Sequence, residues 1–400
     1  MVAISATICK HRCMKIRRFW RRELKAACAR RSVVWLSGVR RAGKTVLCQS
    51  FPNAEYIDFE LPRSRRAWAD PESMLEQLRG RLVVLDEIHR HDNASELLKI
   101  AADHYPDVQI IATGSSTLGA SRKFRDTLAG RKAELWLTPM NTYDLTDFGN
   151  PNLAHRFLNG GLPPFFLADE PPERDFQEWM DAYWAKDVQE LFRLERRASF
   201  QKFAELLLAQ SGGMFEATRF SRSCEVSRPT ISNYLSALEA TFVVHVVRPF
   251  SSHRPTEIVS APKVYGFDTG FVCHHKGWDR LRQDDMGILW EHFVLNEIHS
   301  RLQTRRVHYW RDKRGHEVDF VMARSGRDLT AIECKWSATG FDAKSIVAFH
   351  RQYPSSSLFV VASDVERSFR RAYQGATVTF VSLADLIEKL KAPGSRTARK

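Results

Sequence analysis

Hydrophobic residues fall into short unbroken runs in the first third of the chain and into spaced stripes further on. Ser32–Leu36, Arg81–Leu85 and Val108–Ala112 are short, mostly apolar and rich in β-branched residues, as strands buried on both faces are. Between them, residues 72–78 and 94–104 read as amphipathic helices. Strand alternating with helix predicts a parallel, helix-covered sheet. From about Gln201 the pattern is helical. Phe203, Leu206, Leu207 and Leu208 mark one helix ending at Gly212-Gly213, residues 215–223 a second, and residues 226–238 a third. In the third, Ile231, Leu235 and Leu238 line one side, Ser227 suits the N-cap and Pro229 the first turn. Phe242–Val247 follows as a strand. Residues 287–302 predict a helix with Ile288, Glu291, Leu295, Ile298 and Leu302 on one stripe, Glu291 at its margin. Strands at 307–310, 317–322 and 329–336 then form a meander with turns at 313–315 and 325–327.

The first strand runs into Gly38-Val39-Arg40-Arg41-Ala42-Gly43-Lys44-Thr45, which fits GxxxxGK[ST] without a mismatch, and Val46, Leu47 and Cys48 continue as a helix. Glycines let the backbone curl until its N–H groups point at phosphate oxygens, and the helix N-terminus adds partial positive charge. The motif assigns Lys44 to the β- and γ-phosphates of ATP and the Thr45 hydroxyl to Mg²⁺. The second strand ends in Asp86-Glu87, delivering two carboxylates to the sheet edge where open α/β folds bind ligands. Asp86 is expected to hold Mg²⁺ through water, and Glu87 to act as base toward the attacking water. The third strand ends in Thr113-Gly114-Ser115-Ser116, whose polar tip makes Ser115 a candidate γ-phosphate sensor. Arg125 and Arg131 are candidates for an arginine inserted into a neighbouring subunit's site, which would require a homo-oligomer. A solvated basic loop is the alternative for either.

Charge adds a partner. Lys and Arg exceed Asp and Glu by 13, and basic residues gather at 15–25 and again at 301–314, which favours nucleic acid over a merely soluble basic surface. The third helix leaves Arg228, Thr230, Ser232 and Asn233 outward. The three-helix pattern with its following strand, a candidate wing, resembles a winged helix-turn-helix, whose third helix enters the major groove of DNA. Many such modules instead pack only on protein. Seven scattered cysteines lack zinc-finger spacing and read as free thiols. The apolar stretch at 2–8 is too short for a signal peptide, and no run approaches the roughly 18 apolar residues of a membrane helix. A cytoplasmic protein without a membrane partner is expected.

In the C-terminal third, Glu333 and Lys335 lie two apart on one strand and so share a face, which Asp319 can reach from the neighbouring strand. Asp followed by Glu-x-Lys is the constellation of the PD-(D/E)xK nucleases. Asp319, Glu333 and Glu291 would bind Mg²⁺, and Lys335 would orient water. A surface salt-bridged hairpin is the alternative, and Val318 stands where those nucleases usually carry proline.

The order of these motifs resembles the bacterial and archaeal family of AAA+-type ATPases joined to a C-terminal domain of unknown function with a PD-(D/E)xK-like core. Besides the ATPase motifs, the resemblance rests on residues 113–116, 128–131, Gly160-Gly161-Leu162-Pro163, residues 263–270, Leu289-Trp290-Glu291 and residues 316–320. It implies an α/β multidomain fold with a three-layer αβα P-loop core, a helical lid, a winged helix and a nuclease-like α/β domain. The expected divisions are a basic helical segment at 1–31, the ATPase core at 32–145, the lid at 146–200, the winged helix at 201–250, the nuclease-like domain at 251–392 and a flexible basic tail at 393–400. Three readings stay open: an ATPase acting on duplex or branched DNA or its ends, an ATP-gated metal-dependent endonuclease, and a signalling ATPase with a protein partner.

Overall fold

The structure is a computed structural model that describes residues 15–114, 122–170, 172–188, 196–250, 261–325 and 328–391. Ser115, Ser116 and the tail at 393–400 lie outside them. Strands β1 (Val33–Ser37), β2 (Ala54–Asp58), β3 (Leu82–Asp86), β4 (Gln109–Thr113) and β5 (Lys132–Trp136) form an all-parallel sheet in the order β2-β3-β4-β1-β5. Strand residues alternate between two cores. Val34, Leu36, Val84 and Ile111 pack with Phe19, Trp20 and Leu24 of α1 (Arg18–Arg30). Val33, Trp35, Val83, Leu85 and Ile110 pack on the opposite side with α4 (Pro71–Gln77), α5 (Ala94–His104) and α6 (Arg122–Thr127). This is the three-layer core expected. It also takes in α1, assigned above to a separate basic segment, because the apolar face of that helix is buried against the sheet. Helix α2 (Lys44–Gln49) follows β1, and α3 (Pro62–Ala67) follows β2.

The middle of the chain runs through α7 (Thr142–Asp147), α8 (Leu153–Asn159), α9 (Pro163–Phe166) and α10 (Glu173–Tyr183). Next come α11 (Arg197–Ala209), β6 (Gly213–Met214), α12 (Ala217–Cys224), α13 (Arg228–Ala240), β7 (Val244–Pro249), β8 (Lys263–Gly266) and α14 (Thr269–Lys276). Ser227 caps α13, accepting from Thr230 N at 3.3 Å. Strand β7 is paired on both edges, antiparallel to β8 and parallel to β9 (His308–Arg311), so it is not a free-standing wing. The boundary expected at 250/251 thereby falls inside one unit, with β8 bonded to both β6 and β7.

The C-terminal unit comprises α15 (Gln283–Leu302), β9, β10 (Glu317–Ser325), β11 (Asp328–Lys335), α16 (Lys344–Gln352), β12 (Ser357–Ala362), β13 (Phe369–Tyr373), β14 (Ala376–Val381) and α17 (Leu383–Lys391). Its strands continue from β6–β8 into one sheet of nine, ordered β13-β14-β12-β11-β10-β9-β7-β8-β6. Helix α15 is longer than its apolar stripe predicts. Residues 292–300 are buried throughout, polar ones included, because the helix lies between the C-terminal sheet and the ATPase core.

Candidate functional site: a nucleotide pocket and a carboxylate cluster

The phosphate loop takes its shape from three left-handed residues, Gly38 (φ +141°), Arg41 (φ +61°) and Gly43 (φ +95°). A Cβ on Gly38 would lie 2.4 Å from Leu137 O, so only glycine lets β1 turn there. Lys44 Nζ donates to Gly38 O at 2.9 Å and Val39 O at 3.1 Å, which holds the ammonium over the loop. A cavity of about 400 Å³ opens at this loop. Six cationic side chains line it (Lys15, Arg17, Arg40, Arg41, Lys44 and Arg90) against two acidic ones, Glu60 and Glu87, which suits a polyphosphate. Ile16, Phe148, Pro163 and Pro164 add an apolar lining suited to a base. Sequence reasoning missed those four, because they come from segments before and after the core. Thr45, Val46 and Gly43 also line the cavity. Buried Val39 and Ala42 hold the loop from behind.

Asp86 and Glu87 stand beside the loop, as expected of them. Thr45 Oγ1 donates to Asp86 Oδ2 at 2.9 Å, the Tyr56 hydroxyl donates to the same oxygen, and Thr113 donates to Oδ1. Thr113 Oγ1 also accepts from Glu87 N at 3.1 Å and so ties both acids to β4. Thr113 is the described residue of that strand tip that touches them, and Ser115 lies outside the described residues. Glu87 is itself left-handed (φ +53°), an uncommon conformation for a non-glycine residue and one that recurs at functional sites. Its Oε2 lies 3.0 Å from His89 Nδ1. Burial alone would raise the Glu87 carboxyl, but the His89 bond, with Lys44 and Arg40 nearby, brings it below its ordinary value. The residue set fits a magnesium nucleotide: an anion cradle, with a threonine hydroxyl and an aspartate oxygen in contact beside it.

Arg131 lies at the start of β5, at the sheet edge away from the phosphate loop, and Nε donates to Asp103 Oδ1 at 2.7 Å. It does not line the pocket of its own chain. Arg125 is exposed. On α13, Arg228, Ser232 and Asn233 are exposed and Thr230 is half-buried.

The C-terminal residues also converge. Asp319 Oδ2 accepts from Cys334 N at 2.8 Å, and Lys335 Nζ donates to Glu333 Oε1 at 2.8 Å. Glu291 accepts from the Tyr265 hydroxyl and lies 3.6 Å from Lys263 Nζ, which also pairs with Glu317. Burial first, then the charge of Asp319, pushes Glu291 and Glu333 above the usual carboxylate range. Lys263 is held up although its burial opposes this, because Glu291, Asp319 and Glu317 surround it. Among the described residues, however, no three His, Cys, Asp or Glu side chains converge closely enough to hold a metal ion. The metal expected on Glu291, Asp319 and Glu333 does not fit this arrangement, since Lys263 engages Glu291, Lys335 engages Glu333 and the Cys334 N–H engages Asp319 instead. The sequence pattern does not place Lys263 and Tyr265 in this cluster, because β8 reaches it only through tertiary packing, and it carries Glu317, at the start of β10, only as part of the 316–320 motif.

The five cysteines among the described residues are free and buried, and no described helix is long and apolar enough to cross a membrane. Residues 30–146 match the family described as AAA domain, and residues 150–282 and 286–384 match two domains of unknown function, DUF8612 and DUF4143. An uncharacterized protein of Mycobacterium tuberculosis, Rv2008c, is 30% identical over 357 residues, covering 86% of this chain and 79% of that one. MJ1544 of Methanocaldococcus jannaschii is 23% identical over 331 residues, 74% of this chain and 73% of that protein. Among solved structures, the Walker-type ATPase PABY2304 of Pyrococcus abyssi is 15% identical, covering 65% of this chain and 95% of that one, with a TM-score of 0.41. The chain therefore belongs to the same family as the mycobacterial protein, as an AAA-type P-loop ATPase with a C-terminal domain of unknown function.

Proposed function

We propose that this ATPase couples hydrolysis of Mg²⁺·ATP to the binding or remodelling of DNA. The observation that carries the DNA half is a helix-turn-helix. Helix α12 ends at Cys224, residues 225–227 make a three-residue turn with Glu225 left-handed (φ +54°), and α13 begins at Arg228. The order helix, strand, helix, helix, strand, strand from α11 to β8 is that of a winged helix. The first turns of α13 present Arg228, Ser232 and Asn233 to solvent, where a recognition helix needs its polar side chains. The net positive charge supports the same partner.

In the ATPase half, the backbone N–H groups of the loop and Lys44 bind the phosphates, and Thr45 and Asp86 would hold the magnesium. The nucleotide supplies the phosphoanhydride bond, and the magnesium offsets its charge. Glu87, below its ordinary value and therefore ionised, is placed to take a proton from water. Arg131 of a neighbouring copy is the residue we assign to neutralise charge in trans. We assign no cleavage to the C-terminal cluster.

Steady-state ATP hydrolysis with and without duplex, single-stranded and four-way DNA tests the proposal. Stimulation by DNA, abolished by Lys44→Ala and reduced about 10²-fold or more by Glu87→Gln, is expected, since general-base catalysis contributes about 10²–10⁴-fold. Hydrolysis that ignores every DNA would overturn the DNA half and favour a protein partner.

A further inference from the structure

We infer that helix α1 is a docking surface for the DNA phosphate backbone, an inference that rests on the DNA reading above. Arg18, Arg21, Arg22 and Lys25 fall at the i, i+3, i+4, i+7 spacing of one helical face and wall a groove of about 660 Å³ closed on its other side by Phe51 and Asn53. No acidic residue lines that groove. The stripe covers about 10 Å at 1.5 Å per residue, the length over which one strand of B-DNA presents about three phosphates. The Arg21 guanidinium lies 5.6 Å from the centre of the Phe51 ring, which orients a cation at the groove wall. Arg18 and Arg22 keep 84% and 71% of their side chains exposed, and their acidic neighbours Asp147 and Glu23 stand off at 3.6 and 3.8 Å. Ion pairs this loose, on arginines this exposed, give way to phosphate at little cost.

The occupant is nucleic acid rather than an anionic membrane. The large apolar residues of α1 (Phe19, Trp20, Leu24) are buried in the protein core, so no bulky apolar side chain of the helix is left to enter a bilayer. The helix also begins at the nucleotide pocket. Arg17, one residue before the stripe, donates to Ala42 O of the phosphate loop at 3.0 Å, and Lys15 and Ile16 line the cavity. An anion drawn onto α1 therefore bears on the element that closes the nucleotide site.

Binding of fluorescent duplex DNA to the full chain, titrated over salt, tests this with Arg21→Gln/Arg22→Gln/Lys25→Gln. A control, Arg280→Gln/Arg367→Gln/Arg370→Gln, removes three exposed cations elsewhere. DNA-independent ATP hydrolysis reports that each variant is folded. The expected result is a slope of log K against log[salt] shallower by about 2.7 in the stripe variant, from about 0.9 per lost phosphate contact, and affinity at least about tenfold weaker. The control should keep most of both. Wild-type binding with equal losses in stripe and control variants overturns the α1 assignment and leaves the DNA reading intact. Absence of wild-type DNA binding overturns both. If the stripe variant loses binding to phosphatidylserine vesicles but keeps DNA binding, the surface is a membrane face and the inference fails.

Discussion

Beside the phosphate loop, Asp86 is held by residues from three other segments and Glu87 by a residue of its own turn. Asp86 receives hydroxyls from Thr45, Tyr56 and Thr113, and Glu87 is held by His89. The His89 contact opposes burial, and removing it leaves burial to raise the Glu87 carboxyl. In His89→Ala, the acid limb of the kcat–pH profile should therefore move to higher pH, with the neutral plateau largely kept. An unmoved limb would mean that Glu87 does not set it. Lys44, Thr45, Asp86 and Glu87 are readable in the sequence because each sits within a contiguous motif whose spacing the chemistry dictates. Tyr56, His89 and Thr113 carry no such spacing. Tyr56 and Thr113 reach Asp86 through the parallel pairing of β2, β3 and β4, and His89 reaches Glu87 through the left-handed turn at Glu87, neither of which a linear pattern shows.

Among the elements, buried strands and long helices were legible and edge strands were not. β1, β3 and β4 read as apolar runs, whereas β2 and β5 bound the sheet, are half-exposed and mix charged with apolar residues. The contact between Gly160-Gly161 and Asp268-Thr269-Gly270 was equally hidden, although both segments carried the family resemblance. Asp268 accepts from Gly161 N at 2.6 Å and Gly270 N at 2.9 Å, with Arg156 3.6 Å away, all buried. A Cβ on Gly160 would sit 2.2 Å from Asp268 Oδ1, at a φ of +86°. Gly149 has a similar φ of +70° but nothing within 4 Å of its Cβ position. Gly160→Ala should thus cost about 3 kcal/mol or more, backbone strain plus clash, while Gly149→Ala should cost about 1 kcal/mol from strain alone. Denaturant unfolding of the two variants separates the terms. Equal losses would mean that Asp268 yields and the contact is not rigid.

In the molecule as a whole, α15 is the beam between the ATPase core and the C-terminal cluster, and its burial explains why a simple amphipathic stripe failed to describe it. It carries Glu291 into the cluster. Further along, Asn296 donates to Pro139 O at 3.2 Å and Gln303 Oε1 accepts from Trp136 N at 2.8 Å. Between them Glu297 accepts from Thr142 N at 2.5 Å, in the first turn of α7, where Asp144 pairs with Arg17 of the nucleotide pocket at 2.5 Å. Two contacts thus link Arg17, at the wall of the pocket, to α15 by way of α7. Glu297 is fully buried, its Oε2 has no hydrogen bond and only Arg301 Nη1 at 3.9 Å, and burial pushes its carboxyl up from 4.5 to about 7. A raised carboxyl favours the folded state at acid pH. Its contribution is complete below the unfolded value of 4.5, falls as pH rises, and is gone by about 7. Glu297→Gln keeps an acceptor for Thr142 N and removes the titration. Between pH 5 and 7.5 the wild type should lose about 2 kcal/mol of unfolding free energy that the variant does not lose, the difference set by about 1.4 kcal/mol per pKa unit. Parallel slopes in urea unfolding across that window would place the charge of Glu297 outside the balance and leave the joint to its hydrogen bonds alone.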